Sequence, residues 1–151
     1  MRGRATGYVL AALALAGALA GHAAEAPFRF EPPPPLNATG VQRALLGNTH
    51  TYHAADATAL PRMTITTMPA REIDQRFGAL SGRGCINLFL GELERTHTRF
   101  FVASQARPLA VAGHALTQFR WSGEKDGRML TGVLSCGRLG RHYYVFDFVD
   151  E

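Results

Sequence analysis

The chain has a single lysine, Lys125, only two cysteines, Cys85 and Cys136, and no apolar run of the ~18 residues that a membrane-spanning helix needs. Each scarcity excludes something. Binding a phosphate backbone calls for clustered Lys and Arg. Here the arginines are scattered along the chain, so the formal net charge of +4 does not mark a nucleic-acid surface. Catalytic signatures are missing as well. There is no H-E-x-x-H, no phosphate-binding P-loop and no dinucleotide fingerprint, and neither Ser81 nor Ser135 stands in G-x-S-x-G. No cofactor is expected. His50 and His53 make an H-x-x-H pair, but the stretch around them has strand character, and on a strand a spacing of three sends the two rings to opposite faces. With His97, His114 and His142 far away in sequence, no metal site is expected.

The N-terminus carries the clearest signal. Arg2 and Arg4 precede an uncharged run from Tyr8 to Ala20, which is followed by the small residues Gly21, Ala23 and Ala24. A positive start, a short apolar core and small residues at the cut are the features of a secretory signal peptide. Gly21 and Ala23 fit the −3 and −1 positions, so residues 1–23 are expected to be removed. The remaining 128 residues suit one domain with one core. Loss of Arg2 and Arg4 lowers Lys+Arg from 16 to 14 against 12 Asp+Glu, which brings the mature charge near +2. The expected location is periplasmic or secreted, with no membrane span after cleavage.

An even number of cysteines in an oxidising compartment favours a disulfide. Cys85–Cys136 is therefore expected to be bonded; the rival, a reactive thiol, finds no C-x-x-C or nucleophile signature to support it.

Residues 24–40 include Pro32 to Pro35 and are expected to form an extended tail or spacer, with the folded domain spanning 41–151. Within that domain, short strands are expected over 50–55 and 62–67. A helix should start at Pro69, carry Ile73, Phe77 and Leu80 on one stripe, and end at the Ser81–Gly84 stretch. A second helix should run from Cys85 to Arg95 with Ile86, Phe89, Leu90 and Leu93 as its apolar stripe. Farther on, alternation over Ala115–Trp121, Met129–Cys136 and Arg141–Asp150, with turn signals at Asp126-Gly127 and Gly137–Gly140, predicts a three-strand antiparallel meander. Leu130, Leu134 and Cys136 share one face of it; on the last strand Tyr144, Phe146 and Phe148 oppose Tyr143, Val145 and Val149. The fold class is α+β, an antiparallel sheet covered on one face by one or two helices.

The stretch Leu109-Ala110-Val111-Ala112-Gly113-His114-Ala115, a β run broken by one glycine before a long strand, resembles the sheet entry of exported PsbP-like or DcrB-like domains. The layout of residues 60–150, with short strands, a helical middle and a meander ending in an aromatic strand, is similar to theirs. The resemblance implies a non-enzymatic accessory or binding module of the cell envelope and carries no site residues with it.

Two features bear on chemistry. Asp147 interrupts an apolar strand; it is expected to face solvent, the alternative being a buried carboxylate with an arginine partner. Arg120, Trp121, His142 and Tyr144 combine aromatic area and charge on two neighbouring parts of the sheet and form the candidate ligand-facing set. The functional expectation is a non-enzymatic binding domain for a protein or envelope component. Two alternatives stand beside it: a hydrolase-type enzyme with a site assembled from distant residues, and a periplasmic immunity or inhibitor protein. The oligomeric state is not legible. Intact-mass measurement of the exported protein should find an N-terminus at Ala24 or Glu25; retention of residues 1–20 in a membrane fraction would refute the cleavage.

Overall fold

The computed structural model describes residues 31–44, 47–56, 58–111 and 113–151. The expected signal peptide and the first residues of the proline-rich stretch lie outside the described residues. The described residues form an antiparallel sheet of eight strands with two helices. The strands are β1 (Asn37–Ala44), β2 (Gly47–His53), β3 (Arg62–Pro69), β4 (Thr98–Val102), β5 (Arg107–Val111), β6 (His114–Lys125), β7 (Arg128–Leu139) and β8 (His142–Asp150). Between β3 and β4 lie α1 (Ala70–Phe77) and α2 (Gly82–Thr96). The sheet order is β1-β2-β3-β8-β7-β6-β4, and β5 also pairs with β6.

Two meanders, β1-β2-β3 and β6-β7-β8, are thus joined through β3 and β8, whose register runs from Arg62 opposite Val149 to Pro69 opposite His142. Local chemistry makes the hairpins. Asp126 and Gly127 both have positive φ, 53° and 75°, as a two-residue turn matching the twist of its strands requires. Gly140, with φ 60°, serves the turn between β7 and β8.

Strict alternation gives the sheet two cores. Phe119, Trp121, Leu130, Leu134, Cys136, Tyr143, Val145 and Val149 form one cluster with Ile73, Cys85 and Ile86 of the helices, and Phe89, Leu90 and Leu93 pack against it. Tyr52, Met63, Ile65, Leu116, Tyr144, Phe146 and Phe148 form the other, together with Leu36; no residue of either helix belongs to it. Complete burial of an Ile or Phe side chain stabilises by about 1.5–3 kcal/mol. Ile65 and Phe146, directly opposed across the β3–β8 seam, are both buried.

Several boundaries differ from expectation, each for a local reason. Pro33 to Leu36 is a turn, closed by the Leu36 N–H donating to Pro33 O at 2.9 Å. Leu36 is buried and β1 begins at Asn37, four residues before the expected domain start. Pro69 ends β3 and caps α1 from outside; the first helical residue is Ala70. Gly78, at φ 76°, ends α1, which leaves Phe77 exposed at its terminus. Ser81, expected to close the first helix, opens the second: its side chain accepts from the Gly84 N–H at 3.0 Å.

Cys85 on α2 and Cys136 on β7 are bonded, with Cα atoms 5.9 Å apart and a sequence separation of 51. Both are fully buried. Closing a loop of that length constrains the unfolded chain by ~4 kcal/mol on the chain-entropy model. Replacing both by Ala should lower unfolding free energy in urea by about 2–5 kcal/mol. A double variant as stable as the parent would show that the bridge contributes nothing.

Candidate functional site

The four residues expected to face a ligand do not share a surface. On β6, alternation puts Arg120 and Trp121 on opposite faces: Arg120 is exposed, while Trp121 is 1% exposed and belongs to the helix-side core. His142 and Tyr144 meet edge to face at 6.2 Å on β8, two strands away, where Tyr144 is part of the other core and burial pushes its hydroxyl above the ordinary pKa. His50 and His53 stand opposite Ile65 and Arg62, three residues apart on β3 and so on opposite faces. Among the described residues no group of His, Cys, Asp and Glu is placed to hold a metal.

Asp147 is half-buried and turned towards the helix-side core. It lies on the helix side of β8, between Val145 and Val149, with Thr64 and Leu134 as cross-strand neighbours. The indole of Trp121 reaches across β7 and donates its Nε1–H to Asp147 Oδ1 at 3.2 Å. Gly132 makes that reach possible: a Cβ there would stand 2.3 Å from the indole Cε2. On the other side of the indole sits His97, edge to face at 4.9 Å, with Gly123 beneath it. His97 Nδ1 is 2.9 Å from Leu93 O, a carbonyl that only accepts, so Nδ1 carries the proton. Burial lowers the His97 pKa and keeps the ring neutral, the nearby Lys125 and Arg62 charges adding to the effect while the Leu93 carbonyl opposes it. The Nε2 of His97 and the Nε of Arg62 are both buried without a hydrogen-bond partner. Burial also raises the Asp147 carboxyl from 3.8 to about 6, against the opposing pull of Arg62 and of the Trp121 N–H. The indole–carboxylate bond ties β6 to β8 over the intervening β7.

The surface offers a groove elsewhere. Ile86 and Leu90, one turn apart on α2, and Phe119 of β6 form its floor; Val102 and Ala106 wall it on the far side; Arg83, Asn87, Ser104 and Gln105 form the rim. Its volume is about 300 Å³. The far wall is held by β6: the Ala103 N–H donates to Arg120 O at 2.7 Å, and Ser104 Oγ accepts from the Arg120 N–H at 2.9 Å. Val102, on its far wall, is 48% exposed; Phe101, its neighbour on β4, is 54% exposed but stands opposite Ser122, on the other face of the sheet. A register shift between Thr98 and Phe101, with Arg99 at φ 49°, limits how much of β4 pairs. This lining can bury an apolar group and hydrogen-bond a polar one; among the described residues it brings no imidazole or carboxylate to the cavity. Ile86 and Leu90 were legible in the sequence as part of the α2 stripe, whereas the wall from Val102 to Ala106 carried no signal of its own.

No protein-family model matches the chain, and no curated protein is similar to it.

The raised Asp147 pKa makes stability depend on pH with a defined sign. Between 3.8 and about 6 the folded chain holds more proton at this group than the unfolded chain. Its destabilising effect is therefore fully present above about 6, fades as pH falls through that window, and is gone below 3.8. Asp147→Asn, which keeps an acceptor for Trp121, should gain stability over the parent at neutral pH and lose that advantage towards the acid end. Urea unfolding across this range checks it, and a difference that does not change with pH would overturn it.

Proposed function

We propose that this chain is an exported, non-enzymatic binding module of the cell envelope that holds a polypeptide segment of a partner in the groove between α2 and β4. The observation that carries the reading is the pairing of an apolar floor, Ile86, Leu90 and Phe119, with the half-exposed Val102 on the far wall. An exposed apolar side chain in a groove with a polar rim favours contact with a partner. An apolar anchor from the partner fills the floor, while Arg83, Asn87 and Gln105 meet its backbone carbonyls. In this reading the two helices cover one face of the sheet, and α2 thereby serves as both lid of the core and wall of the groove. Export rests on the N-terminal segment, and the Cys85–Cys136 bond is compatible with it. The layout resemblance to PsbP-like and DcrB-like domains points to the same class.

Selection of displayed peptides on the purified protein tests the groove. Selected peptides should share a large apolar residue. Val102→Asp should weaken their binding by at least about tenfold, roughly the 1.4 kcal/mol expected for losing one good anchor contact. The side chain is half exposed, so stability should stay within about 0.5 kcal/mol of the parent. Phe77→Asp and Phe101→Asp, on exposed surface outside the groove, are the controls. Peptides without an apolar residue, or unchanged binding by Val102→Asp, would overturn the assignment.

A further inference from the structure

A second concavity, of about 590 Å³, lies between α1 and the turn joining β7 to β8. Three guanidinium-bearing residues line it, Arg71 from the helix and Arg138 and Arg141 from the hairpin, with Asp74 as the single carboxylate among the described residues and Gln75 beside it. Arg71 and Gln75 are four apart on α1, one turn of helix, so both stand over the cleft.

The one carboxylate is already committed. Asp74 Oδ1 accepts from the Tyr143 hydroxyl at 2.8 Å, and Oδ2 accepts from Arg138 Nη1 at 3.0 Å. Tyr143 in turn accepts from the Leu80 N–H at 2.9 Å, which anchors the network to the link between the helices. Arg138 is held from three sides: by Asp74, by Gly140 O at 3.1 Å from its Nε, and by the Tyr143 ring 5.9 Å from its guanidinium carbon. Its position is set before any ligand arrives. The hairpin turn is tied to the helix, since Arg141 O accepts from the Ala70 N–H at 2.9 Å. That bond also uses the first N–H of α1. Among the described lining residues, three guanidiniums stand against one carboxylate, a net charge of +2.

We infer that this cleft is an anion site for a phosphomonoester group, with Arg71 and Arg141 as the direct ligands and Arg138, braced by Asp74 and Tyr143, as the fixed third contact. Planar guanidinium forks match phosphate oxygens in pairs, and a dianion balances the net charge of +2 where a carboxylate would leave an excess. The cavity is larger than a phosphate alone, so it admits the sugar or glycerol that carries the group. A free sugar phosphate and the headgroup of an anionic lipid present the same chemistry.

The test uses the full exported chain. Inorganic phosphate and glucose 6-phosphate are titrated free in solution, with the arginine side-chain N–H resonances of Arg71, Arg138 and Arg141 as the readout. Phosphatidylcholine vesicles with and without phosphatidic acid form the second arm. Saturable shifts with the free phosphates assign a soluble ligand; capture only by vesicles containing phosphatidic acid assigns a lipid headgroup. Either supports the site, provided that Arg71→Ala/Arg141→Ala weakens binding by at least about tenfold, as losing charge-assisted hydrogen bonds requires. Arg43→Ala/Arg107→Ala removes the same charge from exposed positions outside the cleft and should leave binding unchanged. No saturable binding in either arm, equal capture by phosphatidylcholine alone, or equal losses in the two double variants would overturn the inference. Melting temperatures of both variants, expected to match the parent, separate lost binding from lost fold.

Discussion

Everything in this molecule hangs on β8 being enclosed on all sides. It pairs with β3 along one edge and β7 along the other, and its alternate side chains enter two different cores. Tyr144, Phe146 and Phe148 join the core that contains Ile65 and Met63; Tyr143, Val145 and Val149 join the one that contains the helices. The pairing with β3 closes a sequence gap of about eighty residues, a non-local contact whose loop-closure entropy is offset by the burial on both faces of β8. Without it the chain has two separate meanders, each with an uncovered edge.

The same enclosure explains the polar line under α2. A carboxylate at Asp147 is unfavourable among Val145, Val149 and Leu134, and its raised pKa measures that. The structure offsets part of the penalty with one neutral donor, the Trp121 indole, and one nearby charge, Arg62. The reach of the indole depends on what is missing elsewhere. Gly132 and Gly123 leave bare backbone on which the indole and the His97 ring lie, and a methyl group at either position would collide with them. The tie from β6 to β8 is thus a property of three residues, Trp121, Asp147 and Gly132, the last of which contributes only by having no side chain.

Around this rigid centre the two candidate sites use different physics. The groove beside β4 is apolar with a polar rim, built by a helix face and a short strand that pairs only in part. The cleft beside α1 is cationic and sits where a hairpin turn is pinned to a helix end. Both are formed by elements that the disulfide and the Tyr143–Asp74 network hold against the sheet, so each is organised before a partner arrives.

Much of this was legible in the residue order. Alternation from Ala115 to Asp150 and the Asp126-Gly127 pair specified the β6–β7–β8 meander, because side-chain direction on a strand follows a period of two and a tight hairpin needs positive φ. The apolar stripe of α2 and the even cysteine count pointed to Cys85–Cys136, since one thiol opens that stripe and the other sits on the sheet face it meets. Helix limits were misread where a serine and several glycines can serve either end; only packing chose Gly78 as the stop and Ser81 as the start. What tertiary structure alone decided was which strands become neighbours. The pairing of β3 with β8 brings Arg62 near Asp147, the folding of α1 against the β7–β8 turn assembles Arg71, Arg138 and Arg141, and β6 lays Arg120 and Trp121 on opposite sides. Local pattern sets the direction of each side chain, but contacts between residues tens of positions apart are selected by the burial they achieve together, and that sum exists only once the chain is folded.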